Sequence, residues 1–176
     1  MVENILRVIY LLSTLILSCA FVLAFYQHPL AMSLSAKSGV SLHLMTVIPA
    51  IFVHFFTSLG VIFYFVGSGV WIKDHAFKIM PTNKESAQKL FEIYKKANKL
   101  KGLAFPFATF NIFLGILTFV IGGAVHVGAI PHWVHPSLGA ALIACSWIGI
   151  PFIFSAILKN FEFLNTASLE IDSHKP

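Results

Sequence analysis

The chain has 176 residues, of which 57% are hydrophobic and 11% charged, where a soluble domain carries about 45–50% apolar and about 25% charged residues. That balance excludes a water-soluble globule, a disordered chain, a disulfide scaffold and a nucleic-acid-binding fold. The formal charge of +5 sits in one place, segment 73–101, where eight Lys face Asp74, Glu85 and Glu92; it marks one basic loop rather than a surface for nucleic acid.

No Asp, Glu, Lys or Arg occurs in 8–36, 38–72 or 102–158, runs of 29, 35 and 57 residues. An uncharged apolar run of about 18 or more residues marks a transmembrane helix, because about 20 residues rising ~1.5 Å each cross the hydrocarbon core. The third run has room for two crossings and a turn. The pattern predicts an all-α integral membrane protein, a four-transmembrane-helix bundle forming a single membrane domain over 1–176.

The first span covers 8–27 and is expected to stop at His28-Pro29, since proline breaks a helix. It is longer than the about 7–15 residues of a signal-peptide core, so it reads as an anchor. Ile16-Leu17-Ser18-Cys19 faintly resembles a lipoprotein cleavage box, but apolar residues 20–23 follow where a polar linker belongs. Cys19 and Cys145, each inside an apolar run, read as free buried thiols.

The second span covers 44–72, about 44 Å as a straight helix against a core of about 30 Å, so tilt or a kink at Pro49 must absorb the excess. In the loop 73–102, Thr82 and Glu85 have capping-box spacing. Ala87, Leu90, Tyr94, Ala97 and Lys101 then recur every three to four residues as a narrow apolar stripe. This predicts a basic amphipathic helix between Lys84 and Lys101, lying on anionic lipid or serving as a solvated connector. The third span (103–125) and fourth (137–158) are joined by a turn containing Gly128, Pro131 and Pro136. A mildly acidic tail, 159–176, follows. The loop after the first span holds only Lys37 and the last loop no Lys, so the positive-inside rule makes the basic loop and both termini cytoplasmic. The location expected is the bacterial cytoplasmic (inner) membrane.

Eight His outnumber the seven acids, and ionisable groups inside a bilayer default to a functional reading. Counted outward from the last inner charge of each span, His28 is 21 residues from Arg7, His54 is 19 from Lys73, His126 is 25 from Lys101 and His135 is 24 from Lys159. Four spans thus each bring one His to a similar expected depth, with His43 and His132 at the outer interface. Stripes of small residues, which let helices approach, carry each His inward: Thr14, Ser18, Phe21, Ala24 and His28; Ala50, His54, Thr57, Val61, Tyr64 and Ser68; Ala108, Asn111, Gly115, Thr118, Gly122 and His126; His135, Gly139, Leu142, Ser146 and Gly149.

Paired axial His from different helices suit haem b. His54 with His126 or His135, and Gly122, Gly139 and Ala50 making room, predict a small redox subunit passing electrons to or from quinone or a redox partner. His28, His54, His126 and His135 are its cofactor candidates. The same His54, His126 and His135 could hold copper or zinc directly. Against both stands a structural reading: His28, His126, His132 and His135 fall where amphipathic rings settle without a ligand, and one buried His54 is satisfied by a hydroxyl or carbonyl. Asn111 reads as interhelical glue. No Ser, His, Asp arrangement marks a catalytic site. The competing functions are a non-catalytic accessory or assembly subunit and a metal or small-solute transporter. The partners expected are the lipid bilayer, anionic headgroups at the lysines and other membrane subunits or further copies, with no nucleic acid.

Overall fold

The computed structural model describes the backbone of residues 2–38 and 42–173 and the side chains of 2–23, 45–125 and 127–173. Four helices account for nearly all of it: α1 (Val2–Ser38), α2 (Leu42–Ile79), α3 (Lys84–His126) and α4 (Val134–Asp172). All four contain segments long and apolar enough to cross a membrane. At ~1.5 Å per residue they run about 55 to 65 Å, roughly twice the ~30 Å hydrocarbon core. The surplus is placed asymmetrically.

Consecutive helices pack side by side, and α1 closes the bundle on α4. Glycine contacts fix the heights. A Cβ on Gly60 would meet Leu6 at 3.8 Å, one on Gly115 would meet Ile51 at 3.7 Å, and one on Gly149 would lie 3.0 Å from Phe107 Cβ. Because Leu6 is level with Gly60 and the two helices are antiparallel, α1 begins level with Tyr64 of α2. Beyond that point α2, α3 and α4 continue without it, α2 for a further 15 residues to Ile79, or about 22 Å. They form a three-helix stalk with its own core of Ile72, Ala76, Leu90, Ala97 and Ala167.

The segment 84–101 is therefore not a separate helix lying on lipid. It is the first half of α3, running unbroken into the span, with Ala87 and Leu90 fully buried. Its narrow apolar stripe is wide enough because two flanking helices share it. The turn before α3 is capped by Asn83, whose side chain accepts from the Ser86 N–H at 3.1 Å, one residue after the expected Thr82. Likewise α1 runs through His28-Pro29 to Ser38, and α4 continues past Lys159 to Asp172, so neither proline nor the first charge ends its helix. Pro49, Pro106 and Pro151 also lie inside helices; in a packed apolar bundle, neighbouring helices offset the lost backbone bond.

The connection from α3 to α4 closes by a Schellman motif. Ala129 N–H bonds to the Ala124 carbonyl at 2.9 Å and Gly128 N–H to that of Val125 at 3.0 Å, with Gly128 at φ 75°, a left-handed conformation that favours glycine. Cys19 is exposed on the outside of the bundle and Cys145 partly so, not buried as their apolar surroundings suggested: on a lipid-facing helix an apolar neighbourhood does not imply an inward face.

Candidate functional site: a polar hub in the middle of the bundle

Every helix sends a polar side chain to one level. His54 of α2, 2% exposed, has its Nδ1 3.2 Å from Ser13 Oγ of α1 and its Nε2 2.9 Å from Ser146 Oγ of α4. Asn111 of α3 donates from Nδ2 to the Tyr10 hydroxyl of α1 at 2.7 Å, and its Oδ1 lies 3.3 Å from Ser146 Oγ. The Tyr10 ring sits beside the imidazole, centroids 5.7 Å apart. Ser13 and Ser146 each have a second acceptor in their own helix, the carbonyls of Tyr10 at 2.8 Å and Leu142 at 2.7 Å. Tyr10, Ser13, His54, Asn111 and Ser146 are all fully buried or nearly so. The Tyr10–Asn111 bond crosses the bundle diagonally, between two helices that do not pack directly.

His54, Asn111 and Ser146 occupy the stripes expected to face inward. Ala50, His54, Thr57, Val61 and Ser68 on α2, and Ala108, Asn111 and Thr118 on α3, are buried. Tyr10 and Ser13 were not among the candidates. Tyr10 is one four-residue step beyond Thr14 on the α1 stripe, so carrying that stripe inward finds it; Ser13, one residue off the stripe, has no such signal. Two further links tie the same helices: Asn160 Nδ2 donates to Ser68 Oγ at 2.9 Å, and Trp147 Nε1 to Ser18 Oγ at 3.1 Å.

The candidate histidines do not share one level. His135 sits eleven residues from Ser146 on α4, about 16 Å outward of the hub. His126 ends α3, fifteen residues from Asn111, about 22 Å outward. The His135 ring lies against Gly122, with its Nδ1 3.1 Å from the Thr118 carbonyl. Since Gly122 faces His135 in an antiparallel pair, the backbone of His126 lies about one turn beyond the level of His135, at the end of the bundle where the α3–α4 connection carries the exposed His132. Phe21 faces Gly139, so the backbone of His28, seven residues further along α1, lies about 10 Å beyond that level toward the end of the bundle that holds the α3–α4 connection. His43 lies in the first turn of α2, at the same outer end. The side chains of His28, His43 and His126 lie outside the described residues.

Counting from the last inner charge misjudged these heights because those charges are not level. Arg7, with its guanidinium over the Phe154 ring at 5.3 Å, aligns with about residue 59 of α2, fourteen residues outward of Lys73. The glycines expected to make room lie against side chains of other helices: a Cβ on Gly139 would fall 2.6 Å from the Phe21 ring and one on Gly122 2.8 Å from the His135 ring. Among the described residues no three His, Cys, Asp or Glu converge on a point where a metal could sit.

No family model, curated protein or solved structure matches the chain.

Proposed function

We propose that this chain is a non-catalytic accessory subunit of a larger complex in a bacterial inner membrane, oriented with the stalk and both termini in the cytoplasm. One observation carries the reading: the polar side chains of the hub are engaged with one another, while a cluster of exposed cations lies on the stalk. Lys84, Lys95, Lys96 and Lys99 are exposed and form no ion pair among the described residues, unlike Lys78 with Asp74 and Lys89 with Glu85. Such lysines suit anionic headgroups near the membrane and an acidic partner further out. The test is purification from native membranes after cross-linking. A stoichiometric membrane partner, kept by His54→Ala and lost when the four lysines become Glu, is the expected result. A chain that runs alone in both forms overturns the reading.

The outer histidines favour a second reading, an electron-transferring haem or copper, or a zinc ion, held by His126, His132 and His135 with His28 and His43 nearby. What supports it is that these residues lie toward one end of the bundle and that the His135 Nδ1 lies against a carbonyl, the orientation that ligating histidines adopt. A reduced-minus-oxidised spectrum and metal analysis distinguish the cofactors, and His135→Ala is expected to abolish either signal. A colourless, metal-free chain removes this reading.

A further inference from the structure

The hub has a property that holding helices together does not require. A serine hydroxyl carries one proton and can also accept, and both serines on His54 have an alternative acceptor within reach. Consider the imidazole with its proton on Nδ1. It donates to Ser13 Oγ, the Ser13 hydroxyl turns to the Tyr10 carbonyl, and the Ser146 hydroxyl donates to Nε2. With the proton on Nε2 the pattern reverses: Ser146 accepts and turns its own proton to the Leu142 carbonyl or Asn111 Oδ1, while Ser13 donates to Nδ1. With both nitrogens protonated, both serines accept and both turn their protons to carbonyls. All three forms use the same heavy-atom positions, and hydroxyl rotation alone interconverts their hydrogen bonds.

We infer that Ser13, His54 and Ser146 form a proton-binding site in the middle of the bundle, able to take one proton from hydronium, leaving water, without moving a heavy atom. This goes beyond the accessory-subunit reading and does not depend on it. The groups facing the imidazole from each helix are consistent with a single-proton site. On α1 the Tyr10 ring lies beside the imidazole, centroids 5.7 Å apart and tilted by 52°, and Arg7 is one turn from Tyr10 with its charge over Phe154. On α3 Asn111 is uncharged, and on α4 Cys145 is the titratable neighbour of Ser146. In its doubly protonated form the imidazole makes two charge-assisted bonds, and no carboxylate is among these neighbours.

The experiment uses the full chain in lipid bilayers with 15N-labelled histidine, His54 being assigned by its loss in His54→Gln. At high pH the wild type is expected to show both neutral tautomers of His54. On acidification both ring nitrogens become N–H while the backbone spectrum stays unchanged. Ser13→Ala leaves only the Nε2–H form, because Ser146 can still accept; Ser146→Ala leaves only the Nδ1–H form. A single wild-type tautomer at every pH, or protonation only together with loss of the folded spectrum, overturns the proposal, and the wild-type titration decides this even if a serine variant fails to fold.

Discussion

The Tyr10–Asn111 bond is the most exacting test of the hub, because it is a buried bond between two helices without other direct packing. The phenol is fully buried and Asn111 is 1% exposed, with 2.7 Å between Nδ2 and the hydroxyl. Tyr10→Phe keeps the ring against His54 and Phe154 but leaves the Asn111 amide without that acceptor. Asn111→Leu leaves the phenol without its donor. Stranding a buried polar group costs about 1–3 kcal/mol in general, yet in a bilayer the separated helices also find partners, and measured interhelical bonds average about 0.6 and reach about 1.7 kcal/mol. Each single variant is therefore expected to lose about 1–2 kcal/mol. The double variant should lose less than the sum, by about 0.6–1.7 kcal/mol. Reversible unfolding in mixed micelles, run as a double-mutant cycle, measures this. Losses that add within about 0.3–0.5 kcal/mol, the behaviour of independent sites, would refute the bond and with it the diagonal closure of the bundle.

Two packing predictions follow from the same geometry. Gly149→Ala places a methyl 3.0 Å from Phe107 Cβ, an atom that no rotamer moves, so α3 and α4 must separate by about 0.5–1 Å to reach ordinary carbon contact. The expected loss is about 1–3 kcal/mol, whereas Gly67→Ala, with nothing within 4 Å, should be neutral or stabilising in the same unfolding assay; equal effects at both sites would contradict the assigned faces. Leu90→Ala empties the centre of the stalk core at a cost of about 2–5 kcal/mol. Hydrogen exchange should quicken in 84–101 and 160–172 and stay slow in 104–125, and uniform quickening would mean that stalk and span are one cooperative unit.

The four long apolar helices were legible because charge is excluded from hydrocarbon, and the inward faces because small residues recur at helical steps. Helix ends were not legible. His28-Pro29 and Lys159 look like stops when only local propensity is weighed, but a helix continues wherever neighbours supply packing, as α2 and α3 do for Ala167 of α4. The common depth assigned to His28, His54, His126 and His135 failed for a different reason. It assumed that Arg7, Lys73, Lys101 and Lys159 mark one plane, whereas the stalk carries Lys73 inward past the start of α1. Lys101 adds to the mismatch: its Nζ comes within 3.4 Å of where a Cβ on Gly69 would lie, the charged head reaching away from its backbone along the apolar surface. Ser13 shows the limit of stripe reading, since a hydroxyl one position off the stripe can still meet an inward imidazole.

Whether His54 serves the hub or a cofactor is measured most directly by the reduced-minus-oxidised absorption spectrum of the chain isolated with its partners, compared between wild type and His54→Ala. With His54 engaged in the hub, no b-type band depends on it and the complex survives the substitution. A b-type band present in the wild type and lost in His54→Ala would contradict that role.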